Sequence, residues 1–236
     1  MALVIKQITK MKHARESEHD YAFDAKLFNL PSKVEVESTI MHVHGIRNNL
    51  VFGLARVLTP SFFKEEMQKA YLRPMTYFLK QNYGCGLIGV EVGVQHGFHS
   101  RALLENLSIK HLYLVDSYQN YVDGDLKTHH SGLSDYNIAQ RTLKEHRDKI
   151  SFIISDSAQA IPKLPKKIDF VYIDANHSYE SVKTDISEYY PIVRKGGVIG
   201  GHDFMGWPGV QTAVIEFAWE NKLELFVDYP DWWVQK

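Results

Sequence analysis

Two short stretches hold the residues best able to do chemistry. Asp169-Phe-Val-Tyr-Ile-Asp-Ala-Asn-His-Ser-Tyr-Glu180 ends an apolar run in Asp174 and places His177 three residues later, in the turn before a helix. Gly196-Gly-Val-Ile-Gly-Gly-His-Asp203 ends the next apolar run in a second acid. Carboxylates at neighbouring strand ends offer two hard oxygen ligands, which suits Mg²⁺, an ion that takes one or two carboxylates and keeps its waters. His202 or Asn176 offers a third ligand, although imidazole suits softer metals better. His177, with an unperturbed pKa of about 6.5, suits a general base. Met41-His-Val-His44 also sets two imidazoles on one face of an extended segment, and surface or pocket-lining histidines are the simpler reading of that pair.

A third stretch binds rather than reacts. Leu87-Ile-Gly-Val-Glu-Val-Gly-Val-Gln-His-Gly97 runs from a buried strand through an acid into a turn with glycines at 93 and 97. Gly93 and Gly97 allow a tight strand-to-helix turn that brings bare backbone close to a ligand, with free N–H groups at the following helix start. Gln95 stands where a dinucleotide loop needs its second glycine, and no Gly-Lys-Ser/Thr follows. Gly93, Val94, Gln95 and Gly97 therefore suit a nucleoside ligand without phosphates, such as S-adenosylmethionine, with Glu91 facing its amine. Asp116, 25 residues after Glu91, is where the ribose-binding acid of a nucleotide fold belongs, and Ser117 follows it. Asp156 and Ser157 suit the adenine amino group. Taken singly, each strand-end Asp or Ser is also a plain helix cap.

These residues need a frame that delivers them to one edge. From residue 87 onward, short apolar strands alternate with helices, and Glu91, Asp116, Asp156, Asp174 and Asp203 close successive strands. That order predicts a parallel sheet wrapped by helices, with ligands beyond the carboxyl ends of its strands. Strands are expected near 87–92, 111–115, 150–154, 170–173, 197–200, 223–227 and 232–234, and helices near 98–107, 133–148, 158–164, 178–190 and 210–221. Residues 1–82 read as a helical cap, with helices near 46–58 and 62–81, and residues 83–236 as the main domain. The 236 residues suffice for one large α/β domain plus this extension. With 27 basic and 28 acidic residues the net charge is −1, which gives no case for nucleic acid or an anionic membrane as partner. One cysteine, Cys85, excludes an internal disulfide and favours a cytoplasmic setting. No apolar run approaches membrane length, and a homo-oligomer is compatible with the sequence.

At these motifs the chain resembles the class I S-adenosylmethionine-dependent methyltransferases, and within them small-molecule enzymes such as the macrolide-sugar O-methyltransferases and the cephalosporin-hydroxylase-like proteins. The resemblance covers about residues 85–236 and rests on Glu-Val-Gly-Val-Gln-His-Gly97, Asp116, Ser155-Asp-Ser157, Ile173-Asp-Ala-Asn-His-Ser-Tyr179, the Gly196–Asp203 stretch and Trp232-Trp-Val-Gln-Lys236. It implies a Rossmann-like, doubly wound α/β sheet of seven strands, mostly parallel, with an antiparallel last strand. It also implies that Glu91 and Gly93 hold the methionine portion, Asp116 the ribose, and Asp156 with Ser157 the adenine. Asp174, His202 and Asp203 would match a magnesium triad and His177 the catalytic base. Some sugar methyltransferases have glutamate where this chain has His202, which makes the triad here less anionic.

The expected reaction is in-line transfer of a methyl from the sulfonium to a hydroxyl of a small-molecule acceptor, with Mg²⁺ or another divalent cation assisting. N-methylation on the same fold, or a cofactor-binding accessory protein without transfer, are the alternatives. A nicotinamide oxidoreductase would need a glycine at position 95. The acceptor is not named by the sequence, because residues 1–80 and the loop 117–132 shape its pocket.

Overall fold

The computed structural model describes residues 41–44, 72–123, 127–129 and 132–236. In chain order these form β1 (Met41–His44), α1 (Pro74–Asn82), β2 (Leu87–Val92), α2 (Phe98–Asn106), β3 (Ile109–Asp116), β4 (Tyr121–Asp123), β5 (Lys127–His129) and α3 (Leu133–Thr142). There follow β6 (Ile150–Ile154), α4 (Ser157–Ala160), β7 (Ile168–Ile173), α5 (Tyr179–Tyr189), β8 (Val193–Gly201), α6 (Pro208–Glu220), β9 (Leu225–Asp228) and β10 (Asp231–Gln235).

The main sheet runs β1-β9-β10-β8-β7-β2-β3-β6. The pairs among β2, β3, β6, β7 and β8 are parallel. β10 is antiparallel to both β8 and β9, and so lies between them. The seven main-sheet strands from β2 onward are the expected doubly wound sheet with its antiparallel last strand. β1 adds an eighth at the edge, parallel to β9. The chain builds outward from β2 to β3 and β6, then returns to β7 on the other side of β2. The reversal lies between the ends of β2 and β7, where a doubly wound sheet binds its ligand.

Alternation along each strand divides the core into two layers. In β7, Val171 and Ile173 join the cluster under α5 and α6, with Val182, Ile186, Val214 and Ala218. Phe170 and Tyr172 join the opposite cluster with Met75, Leu79, Leu103 and Leu112, under α1 and α2. Burial on both faces explains why these strands read as near-continuous apolar runs.

The element boundaries differ from the sequence reading where local chemistry intervenes. The helix expected over 133–148 stops at Thr142, and Lys144–Lys149 continues as 3₁₀ turns with non-helical dihedrals at His146. Of the helix expected over 62–81, the described part is α1, which opens on Pro74 at its first position. Proline's fixed φ suits that position, and its clash with the preceding residue holds Arg73 extended. The helix expected over 46–58 lies outside the described residues. The loop after β3 carries the β4–β5 hairpin.

The segment before residue 83 is joined to the body along both β1 and α1: Met75 and Leu79 pack into the second core layer, and Thr76 Oγ1 lies 3.3 Å from His99 Nε2. β1 pairs with β9, and the Met75 amide donates to Asp231 Oδ2 at 3.0 Å.

Candidate active site

The turn after β2 is held by its backbone. Gly93 has φ +87°, and a Cβ there would lie 2.0 Å from the Asp174 carbonyl oxygen. Only glycine fits, because the ends of β2 and β7 approach backbone to backbone. Gln95 (φ 47°) and Gly97 (φ 75°) continue the left-handed turn into α2. Asp116 at the end of β3 closes over this loop: its Oδ2 accepts from the amides of Val94 and Gln95, each at 2.8 Å. Its Oδ1 accepts from the Tyr118 amide at 2.8 Å. A carboxylate has about four acceptor positions, so the loop uses three and leaves one for a hydroxyl. Asp116, expected from sequence as the ribose acid, lines the cleft, and its part in shaping the loop was not foreseen.

Glu91 is 1% exposed. Its Oε1 lies 2.8 Å from His99 Nδ1, and the Ser100 hydroxyl donates to Oε2. Burial pushes its pKa up to about 8, with the Ser100 hydrogen bond and the Arg73 charge opposing. Burial, with Arg73 and His202 nearby, holds His99 well below its ordinary value. Glu91 lines the cleft, and both of its oxygens already have partners from α2.

The acids and imidazoles expected to do chemistry do converge. Asp174, His177 and Asp203 each present an atom within 4.8 Å of the others. His177 Nε2 lies 2.9 Å from Asp203 Oδ2, and the His177 ring stacks on Trp207 with centroids 4.6 Å apart and planes 13° apart. The start of α6 packs against the His177 backbone, where a Cβ at Gly209 would lie 2.5 Å from its carbonyl oxygen. His202, the expected third ligand, sits between the acids: its Nδ1 is 3.0 Å from Asp203 Oδ2 and 3.8 Å from Asp174 Oδ1. Burial raises the Asp203 pKa, but the hydrogen bonds and charge of His177 and His202 more than offset that and hold the carboxyl well below its usual range.

Sequence reasoning missed Arg73. Its Nη1 donates to Asp174 Oδ2 at 2.8 Å and to the Tyr172 hydroxyl at 2.7 Å. The Tyr172 hydroxyl in turn donates to Asp231 Oδ1 at 2.7 Å. Burial disfavours the Arg73 charge, and Tyr172, Asp174 and Asp231 around it more than restore it, so the guanidinium stays protonated. Tyr172 was findable in principle, since residues two apart in a strand share a face and Asp174 was already placed. Arg73 carried no such signal.

The donor set fits Mg²⁺ poorly. Asp174 Oδ2 holds a guanidinium, and Asp203 Oδ2 lies against two imidazoles. Mg²⁺ wants oxygen ligands in near-ideal octahedral geometry. Here one oxygen of each acid is engaged with a cation or an imidazole.

Arg73, Glu91, Gly93, Asp116, Asp174, His177, His202 and Asp203 line one cleft of about 940 Å³, together with Val94, Gln95, Ser117, Ser155, Asp156 and Ser157. That is large for a ligand pocket, with room for a nucleoside cofactor and a small acceptor. Every cofactor-site residue expected from sequence lines it except Gly97, which sits just behind as the N-cap of α2. His129 and His130, in the loop after β3, lie outside the described side chains.

Residues 90–204 match the family model described as a methyltransferase domain. An uncharacterized protein of Acanthamoeba polyphaga mimivirus is 30% identical over 132 residues, covering 53% of this chain and 56% of that protein. The chain thus spans little more than half the length of that curated relative. Among solved structures, the O-methyltransferase NovP superposes with a TM-score of 0.54 at 19% identity, covering 73% of this chain and 79% of that one. An O-methyltransferase from Bacillus cereus, solved in complex with SAH, gives 0.51 at 16% identity over 79% of this chain and 97% of that one. Identities this low speak to the fold. Residues 90–204 thus match a methyltransferase domain, in a fold that the chain shares with these O-methyltransferases.

Proposed function

We propose that the protein transfers the methyl of S-adenosylmethionine to a hydroxyl of a small-molecule acceptor, a sugar or natural product. The observation that carries this reading is the meeting of Asp174, His177 and Asp203 in the cleft that also holds the Gly93 turn. The methionine portion lies toward Glu91 and Gly93, the ribose gives one hydroxyl to Asp116, and the adenine lies by Asp156 and Ser157. His177 Nε2 lies 2.9 Å from Asp203 Oδ2, which sets the imidazole beside the carboxylate. As the acceptor oxygen attacks the methyl carbon, the S–CH₃ bond breaks and a C–O bond forms. His177 takes the hydroxyl proton and passes it to solvent, leaving the methyl ether and S-adenosylhomocysteine. Asp203 orients the ring and stabilises the imidazolium, and Trp207 fixes its plane.

Mg²⁺ at Asp174, His202 and Asp203, the ion expected from the resemblance, meets the donor set described above, so no step is routed through it. The reading takes a small molecule rather than nucleic acid or a membrane as partner, in a cytoplasmic setting. No described helix is long and apolar enough to cross a membrane.

The test is transfer of radiolabelled methyl from S-adenosylmethionine to a panel of hydroxylated acceptors, alongside calorimetry with S-adenosylhomocysteine. His177→Ala is expected to lose about 10²–10⁴-fold in turnover, the usual worth of a positioned proton acceptor, with cofactor affinity nearly unchanged. Parallel loss of both would contradict the assigned role. Cofactor binding with no transfer to any acceptor would favour an accessory protein.

A further inference from the structure

We propose that Arg73 is the resident cation at the acceptor end of the cleft, and that Asp174, His177 and Asp203 work there with no divalent ion bound. The methyl-transfer reading says what this cation is for; the exclusion of metal stands apart from it and is tested without an acceptor.

The geometry is built from distant parts of the chain. Arg73 leads into α1 and is aimed across the sheet edge by a relay: Asp231 accepts from Tyr172, and Tyr172 accepts from Arg73. The guanidinium carbon lies 5.3 Å from the centre of the Tyr172 ring. Asp231 is itself fixed by the Met75 amide, two residues beyond Arg73. The arginine is therefore held at both ends, by the helix it leads into and by the hydroxyl it donates to. Its ion pair with Asp174 is partly sheltered, with the side chains 22% and 21% exposed.

A divalent ion at Asp174 and Asp203 would meet this fixed positive charge on one acid. On the other it would compete with His177 and His202, both within 3.0 Å of the same oxygen. It would have to displace the guanidinium or sit beside it. The guanidinium can do the electrostatic work itself. It has five N–H donors in a rigid fork, and both of its described bonds use Nη1. A permanent positive charge beside the attacking oxygen favours the charge that develops as the proton leaves for His177.

The experiment titrates Mn²⁺ into the full chain saturated with S-adenosylhomocysteine and follows free ion by electron paramagnetic resonance. Wild type and Arg73→Lys are expected to show no stoichiometric binding. Arg73→Gln, which removes the charge and keeps a hydrogen-bonding side chain, is expected to bind roughly ten- to hundredfold more tightly, as loss of one nearby like charge predicts. Tight Mn²⁺ binding by wild type overturns the proposal, and so does an Arg73→Gln variant that gains nothing. Should Arg73→Gln fail to fold, the wild-type and Arg73→Lys titrations still decide the first point. Arg73→Met, carried through the same titration with circular dichroism as a folding check, decides the second. Calorimetry on the same wild-type sample separates the two readings: failure to bind S-adenosylhomocysteine would sink methyl transfer while leaving the ion result standing.

Discussion

Gly93→Ala is the most severe single-methyl test of how the cleft is built. The added Cβ would lie 2.0 Å from the Asp174 carbonyl oxygen, 2.5 Å from its carbonyl carbon and 2.9 Å from the Ala175 Cα. Ordinary van der Waals contact begins near 3.4 Å, so the ends of β2 and β7 must part by more than an ångström. All three atoms are backbone, and no side-chain rotation relieves the contact. The φ of +87° adds about 1–2 kcal/mol for an L-residue in the left-handed region. Forced overpacking adds roughly 1–3 kcal/mol. The sum, about 2–5 kcal/mol, corresponds to a fall in Tm of roughly 4–20 °C for a domain of this size. Relief by moving β7 would also carry Asp174 and His177 away from the Gly93 turn, and a misplacement near 1 Å costs about 10²-fold in rate. Differential scanning calorimetry gives the first number and S-adenosylhomocysteine titration the accompanying loss of affinity. Gly84→Ala is the control, since nothing lies within 4 Å of its Cβ position, and it should move neither. If Gly93→Ala kept both Tm and affinity at wild-type values, the backbone approach of β2 to β7 would be wrong, and with it the shape of the cofactor end.

Glu91 gives a stability that depends on pH with a definite sign. Its pKa is about 8 in the fold, against 4.5 for an ordinary glutamate, so between those values the folded state keeps a proton that the unfolded chain has released. Stability therefore falls as pH rises through that window, by up to about 1.4 kcal/mol per pH unit, and Glu91→Gln should remove this slope. Urea midpoints at pH 5.5 and 7.5 read it, and equal slopes in the two proteins would refute it. Asp116→Ala leaves the Val94 and Gln95 amides without their acceptor. It should weaken S-adenosylhomocysteine binding by at least tenfold, about 1.4 kcal/mol, the range for a charged hydrogen-bond acceptor; an unchanged titration would place the cofactor elsewhere. Asp231→Asn should leave the cofactor titration intact and lower kcat at unchanged cofactor affinity, because Arg73 loses its aim rather than its charge. A change confined to thermal stability would count against that relay.

The frame was legible because its signals are local. Each parallel strand is an apolar run closed by an acid, and the turn at Gly93 follows from residue types within one βα unit. The convergence of Asp174, His177 and Asp203 followed from their being at the ends of adjacent strands, which needs only the strand order. What escaped were pairings between distant parts of the chain. Arg73 meets Asp174 across a separation of 101 residues, and nothing near Arg73 in the sequence marks it out. His202, expected as a ligand, lies 3.0 Å from Asp203 Oδ2 and 3.8 Å from Asp174 Oδ1. Asp116 and Glu91 were located correctly, yet their oxygens are occupied by the chain's own amides, hydroxyl and imidazole. Residue type fixes what a carboxylate can accept, and only packing decides which donor reaches it first. Met41–His44 was read as an extended segment, but its place at the sheet edge was not, since its register is set by β9, far along the chain.

β10 occupies an interior slot, so β9 and β1 hydrogen-bond to the rest of the sheet only through it. Its opening residue is Asp231, the anchor of the relay to Arg73. Closing the sheet and electrifying the pocket are thus a single act, performed by a strand that leaves the ribosome after every other described element. Without it, the Tyr172 hydroxyl loses its acceptor and the relay that aims Arg73 is open. Lesions in this strand should act as active-site lesions, although the strand itself touches no methyl.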